Sequence, residues 1–178
     1  MLRSTRLLLR PLESSDFNAT YVGWLNDPDV RCHLETRFQP QTLELVHSYW
    51  HAHRDDPASP WFAICLLSDG VHIGNIKLGP IHWLHRRADI SLFIGEKTSW
   101  GRGYASEAIA MLRDWAFGEL NLEKLNAGIY AGNVGSRRAF EKCGFELEGI
   151  LREEVVSAGA RQDVWRMGLP VSHWRSNA

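Results

Sequence analysis

Residues 99–107 read Ser99-Trp100-Gly101-Arg102-Gly103-Tyr104-Ala105-Ser106-Glu107, which sets two glycines between a strand-like run and an amphipathic, helix-like run. Glycines let consecutive backbone N–H groups turn toward one point without side-chain obstruction. The helix that follows adds free first-turn N–H groups and the positive end of its dipole, so the segment suits a pyrophosphate. Arg102 stands where it can add a cationic contact. A lone Gly-x-Gly is a weak signal, and a structural turn or a nucleotide site of another kind explains it equally well. A dinucleotide fingerprint is disfavoured: the third glycine is missing, Glu107 is too near to be its ribose-binding acid, and hairpin strands precede the loop. The P-loop lysine is absent too.

Two other groupings are weaker. His47 and His51 stand four apart on a helix-like run, but no third ligand accompanies them, so they read as surface residues and no metal is expected. Cys32, Cys65 and Cys143 are odd in number and widely spaced, giving neither a disulfide framework nor a paired-cysteine metal signature.

The elements that must hold such a loop follow from periodicity. Residues 5–12 alternate and read as a first strand. Ser14-Ser15-Asp16 offers an N-cap to a helix carrying Phe17, Tyr21, Trp24 and Leu25, which Asp27-Pro28-Asp29 closes. A second helix runs from Pro40 or Thr42 to about Arg54, with Leu43, Val46 and Trp50 on one face. Residues 61–67 and 72–78 form a hairpin across Asp69-Gly70. Residues 88–94 make another strand, and 103–117 a long helix with Ala108, Ile109, Leu112 and Trp115 inward. After them come a strand at 124–130, a helix at 135–143 stopped by Gly144, and a terminal hairpin of 145–151 with 163–169 across Ser157-Ala158-Gly159. The order is mixed α/β, with hairpins first and a βαβα unit after the middle.

At 178 residues the chain fits one domain, residues 1–178. Its 23% charged and 44% hydrophobic residues are ordinary for a folded globular enzyme and unlike a disordered or membrane chain. A net charge of −1, with no basic run longer than His85-Arg86-Arg87, gives nucleic-acid binding no support. The early apolar run Leu7-Leu8-Leu9 is far too short for a signal segment or a membrane span, so a cytoplasmic location and no membrane partner are expected.

Taken together, these blocks resemble the GNAT family of N-acetyltransferases, in particular the subgroup of the ribosomal-protein N-terminal acetyltransferases RimJ and RimL. The family's Gln/Arg-x-x-Gly-x-Gly/Ala motif lies on Trp100 to Ala105, with Gly103 and Ala105 matching and Trp100 at the Gln/Arg position. Asn133-Val134-Gly135-Ser136 followed by Phe140-Glu141-Lys142-Cys143-Gly144-Phe145 is similar to the family's Asn-x-x-Ser helix and its ending. The openings Leu8 to Pro11 and Trp24 to Pro28 are similar to the subgroup's.

The resemblance implies a bent, mixed, seven-stranded sheet with helices on both faces. Strands 88–94 and 124–130 splay to admit acetyl-coenzyme A, with no metal. The binding residues would be Phe93 and Ile94, Trp100, Gly101, Arg102, Gly103, Tyr104 and Ala105, then Asn133, Ser136 and Phe140. Asn133 also suits a helix N-cap. Glu35, Arg37 and Phe38 would face the acceptor, expected first as a protein N-terminal amine, alternatively a small amine or a nucleotide-linked amino sugar. A non-enzymatic acyl-coenzyme A-binding regulator is the competing class, and a monomer or homodimer is expected.

In such a transfer a neutral amine attacks the thioester, so a base must remove an ammonium proton and positioned dipoles must stabilise an oxyanion. The leaving thiol, with a pKa of about 8.5, needs only modest acid help. By the resemblance, Phe140 stands where many family members have a tyrosine donor, and Ser136 falls on the position of a serine proposed to serve the thiolate in the RimL-like subgroup, which makes it the candidate catalytic acid; a serine cap or a simple coenzyme hydrogen bond is the competing reading. For the catalytic base, Glu153 is preferred over Glu96, Glu154, His82 and Glu35, because strand alternation puts it on the face of Val155, where the subgroup's carboxylate falls. A water-relayed base stays open.

Overall fold

A computed structural model describes residues 1–157 and 159–176. One mixed sheet runs through it, built from β1 (Leu2–Arg3), β2 (Leu7–Pro11), β3 (Trp61–Leu66), β4 (His72–Leu78), β5 (Arg87–Ile94), β6 (Lys124–Tyr130), β7 (Glu146–Ser157) and β8 (Ala160–Pro170). Their spatial order is β1-β2-β3-β4-β5-β6-β8-β7, and every neighbouring pair is antiparallel except β5 with β6. The expected seven strands are all present, and the short β1 on the edge makes an eighth.

Helices cover both faces because strand alternation sends apolar side chains both ways. On β3, Phe62 and Ile64 enter one core with Ile109, Leu112 and Phe117 of α4 (Tyr104–Gly118), while Ala63 and Cys65 enter a second. The second core holds Tyr21 and Trp24 of α1 (Ala19–Asn26) and Val46 and Trp50 of α3 (Leu43–His53). α2 (Pro28–Arg31) links α1 toward α3, α5 (Val134–Lys142) follows β6, and α6 (Val171–Ser176) ends the described chain.

Some boundaries differ from the sequence expectation. Ser14–Asp16 is a 3₁₀ turn and Asn18 is the N-cap of α1, its Oδ1 accepting from the N–H groups of Thr20 and Tyr21 at 2.9 and 3.2 Å. Asp16 is drawn away by Arg10, whose Nη1 and Nη2 each donate to its carboxylate at 2.7 Å. Asp27-Pro28 ends α1 but also starts α2, since Asp27 accepts from Asp29 and a proline fits the first helical position. Leu43 is 48% exposed, so Val46 and Trp50 alone carry the inner face assigned to that trio. The last hairpin is longer than expected, and Ala158 of its assumed turn lies outside the described residues.

Candidate active site

The site begins where the one parallel pair fails. β5 and β6 are in register at Arg87–Lys124, Ala88–Leu125 and Asp89–Asn126, and the pairing stops there. β5 runs on to Ile94 held only by β4, and β6 runs on to Tyr130 held only by β8. Strands that diverge within one sheet expose backbone N–H and C=O groups to the gap, and those groups need partners. A cavity of about 990 Å³ opens there, with Ser91, Leu92 and Phe93 on one side and Asn133, Ser136 and Phe140 on the other.

At the end of β5 the chain makes a 3₁₀ turn at Lys97–Ser99 and enters the glycine loop. Gly101 and Gly103 have φ of +73° and +82°, the left-handed region that an L side chain resists, and Gly103 is the N-cap of α4. Trp100 ties the loop to the strand, its indole N–H donating to the Ile94 carbonyl at 2.8 Å. A residue far back in the chain completes the clamp. Arg6 donates from Nη1 to the Arg102 carbonyl at 2.9 Å and from Nε to Glu107 at 2.7 Å, and its guanidinium lies 4.7 Å from the centre of the Tyr104 ring. Glu107, in the first turn of α4, is thereby neutralised where an anion would bind. Arg102 keeps its own side chain exposed.

On α5, Asn133 is the N-cap, its Oδ1 accepting from the Ser136 N–H at 3.1 Å, so the capping role is real and the side chain also borders the cavity. Phe140 is 2% exposed and meets Phe145 edge-on at 5.0 Å. Ile94 lies outside the cavity lining, its carbonyl taken by Trp100.

Glu35–Phe38 is a 3₁₀ turn over the other end of the cavity. Arg37, with only 10% of its side chain exposed, donates to the carbonyls of Leu34 (2.7 Å) and Val156 (2.6 Å) and to the Tyr130 hydroxyl (2.9 Å). It is therefore a strap joining the turn to β6 and β7. The Tyr130 hydroxyl in turn donates to Glu35. His33 borders the cavity as well, with Nδ1 buried and unpartnered and the ring edge-on to Tyr130. Burial, then Arg37, holds its pKa below the usual imidazole value, so it is neutral near pH 7. Sequence reading passed over His33 and Arg6 because each acquires its role from residues about a hundred positions away.

Glu153 does not join this group. Leu151 pairs with Val164 and Val155 with Gln162, so residues 152–154 bulge opposite Asp163 and the assumed alternation breaks. Glu153 sits at φ +51°, exposed, its N–H donating to Asp163 at 2.9 Å, and it lies outside the cavity lining. Glu96 accepts from Thr98, and His82 stacks on His85 at 4.3 Å; neither borders the cavity. Among the described residues no group of three or more His, Cys, Asp and Glu side chains is placed to hold a metal. No helix of the described residues is long and apolar enough to cross a membrane.

A sheet parted along its parallel pair, with a left-handed glycine loop feeding a helix at the end of the split, is the architecture of a coenzyme A-dependent acyltransferase. The family described as Acetyltransferase (GNAT) domain matches residues 6–146, and the chain belongs to that family. It is 39% identical over 173 residues to the probable N-acetyltransferase YjcK of Bacillus subtilis, covering 92% of this chain and 93% of that protein. It is 36% identical over 164 residues to the spermidine N(1)-acetyltransferase of Vibrio cholerae, covering 92% of each. The crystal structure of spermidine N-acetyltransferase from Vibrio cholerae in complex with CoA and spermine superposes with a TM-score of 0.86 at 28% identity, over 97% of this chain and 99% of that one. The protein is an acetyl-coenzyme A-dependent N-acetyltransferase.

Proposed function

We propose that this enzyme acetylates the primary amine of a small molecule, and that a protein N-terminus, the first expectation from the sequence, is not its acceptor. The observation that carries the reading is the Glu35–Phe38 turn, strapped by Arg37 to Tyr130 and to the Val156 carbonyl over the acceptor end of the cavity. A peptide lying extended into a site needs an open groove with backbone partners, whereas a cavity bounded on one side by this strapped turn suits a compact ligand. Relatives named for spermidine acetylation support the same direction. The subgroup likeness to RimJ and RimL has no counterpart in the relatives reported above.

Acetyl-coenzyme A supplies the activated acyl group. The glycine loop and the α4 N-terminus would hold its pyrophosphate, and the freed backbone of residues 91–93 with Asn133 and Phe140 would line its arm. His33 and Glu35 are the groups at the cavity able to take the ammonium proton, directly or through water. Ser136 is the hydroxyl nearest in role to the missing tyrosine and would return a proton to the thiolate.

The test is a mass-spectrometric acetylation panel of small amines, amino-sugar nucleotides and N-terminal peptides. Acetylation of small amines with thiol release, and none of peptides, is expected. Preferential acetylation of peptides would overturn the proposal.

A further inference from the structure

The acceptor end of the cavity is built largely from apolar and aromatic side chains, among them Phe17, Tyr21, Phe38, Leu45, Tyr49 and Trp61. Glu35 is the one carboxylate among its described lining residues. That carboxylate is shared: its Oε1 accepts from the Tyr130 hydroxyl and lies 3.6 Å from Arg37 Nη1. Lys77 borders the same space with charge of the opposite kind.

From this lining, and resting on the small-amine reading, we infer that the acceptor is a monoamine carrying an aromatic or branched apolar body, and that polyamines are disfavoured. The reacting ammonium is the one charge the site must receive, and it leaves as a proton is removed. Each further ammonium of a polyamine has to be desolvated against an aromatic wall and beside Lys77, with a single carboxylate, already shared with Tyr130 and Arg37, to meet it. Cation–π contact returns less than that desolvation costs. The ring faces are also partly spent on one another: Phe17 meets Tyr21 at 4.9 Å and Trp61 at 5.7 Å, and Tyr49 meets Trp61 at 5.6 Å. An aryl or branched alkyl body buries against these walls without bringing a further charge to be desolvated.

The experiment is calorimetric titration of the enzyme saturated with coenzyme A, using 2-phenylethylamine and spermidine in turn, with turnover of each followed in parallel by thiol release. The monoamine should bind at least about tenfold more tightly than spermidine. Leu45→Glu and Phe38→Glu, at positions 42% and 66% exposed, should narrow or reverse that ratio by improving spermidine alone. Spermidine binding as tightly as the monoamine, or carboxylate variants that leave the ratio unchanged, would overturn the inference while leaving small-amine acetylation intact. Tighter monoamine binding without turnover would support the inference about the pocket and count against the proposed function. Binding of neither amine would overturn both.

Discussion

The two ends of the cavity are made of different material. The proposed coenzyme end is backbone: two strands that part after Asp89 and Asn126 and, beyond the cavity lining, two glycines at positive φ and the first turn of α4. It rests on the core shared by the sheet and α4. The acceptor end is side chain, drawn from α1, the Glu35–Phe38 turn, α3 and the parted strands, and it rests on the second core. Backbone geometry is insensitive to most substitutions, so it suits the ligand every relative must bind. Side-chain walls change with each substitution and suit the ligand that differs. Perturbations at one end should therefore leave the other nearly untouched.

The largest expected effect is at the backbone end. Gly103→Val places a β-branched residue at φ +82°, a strain of about 1–3 kcal/mol, and sets its Cβ 3.5 Å from Arg6 Nη2, the guanidinium that clamps the loop. Coenzyme A should lose its stabilising thermal shift in this variant, an affinity loss of more than about tenfold. Gly118→Ala, at a residue without positive φ and with open space around its Cβ position, should keep the full shift. Equal shifts in both variants would mean that loop conformation is not what binds the coenzyme.

At the proposed acceptor end, Arg37→Ala removes three hydrogen bonds that hold the Glu35–Phe38 turn to itself and to β6 and β7. The acceptor KM should rise about tenfold or more, since charged hydrogen bonds of this kind contribute about 1.5–3 kcal/mol each, while coenzyme A affinity stays within about twofold. A parallel fall in coenzyme affinity would show that the two ends are mechanically one.

The same contrast explains what was legible in the sequence. The glycine loop and the Asp69-Gly70 hairpin are short-range patterns, so local spacing was enough to locate them, whereas Asn133, Ser136 and Phe140 of α5 were singled out only by the family resemblance. Asp16 looked like a helix cap because its sequence neighbours are cap-like, yet the half-buried Arg10 guanidinium on β2 claimed it and left Asn18 to cap. Glu153 was misplaced by counting alternate residues through a bulge that Asp163 nucleates from the facing strand, taking the Glu153 N–H and the Arg152 guanidinium. Arg6 and His33 have no local signature at all, because Glu107 and Tyr130 give them their surroundings.

A smaller effect is expected at the seam between the two ends. Ser136→Ala should lower kcat by about tenfold with little change in coenzyme affinity, since help to a good leaving thiolate is needed only as charge develops on sulfur. Phe140→Tyr in that background should recover part of the rate, at some cost in thermal stability because the ring is 2% exposed. Loss of coenzyme affinity without loss of kcat would reassign Ser136 to binding.

The smallest effect concerns acidity, and it belongs to the acceptor end alone. Beneath α1, His72 is held with Nε2 at 2.9 Å from the Gly74 carbonyl and 2.8 Å from Asn75 Oδ1, while Asn75 Nδ2 donates to the Tyr21 hydroxyl at 3.0 Å. Both neighbours of Nε2 are acceptors, so that nitrogen carries the proton of the neutral ring. Nδ1 faces Asp16, itself paired with Arg10, at 3.7 Å, and a protonated ring would gain from that carboxylate. Burial nevertheless dominates and lowers the His72 pKa, as it does for His33. A histidine whose folded pKa lies below its unfolded value of about 6.5 contributes stability that is present above that pH and is lost as pH falls toward the folded value. For Asp16, burial raises the pKa, but the Arg10 hydrogen bonds and the Glu13 backbone outweigh it and the net shift is downward, so its contribution persists to about pH 4 and fails only below. Between about pH 8 and pH 5, then, Tm should decline through the histidines first. His72→Gln should flatten most of that decline and His33→Gln a smaller part, while stabilisation by coenzyme A keeps the same dependence on pH in both variants as in the parent enzyme. Parallel declines in all three proteins would mean that acid acts elsewhere than on His33 and His72.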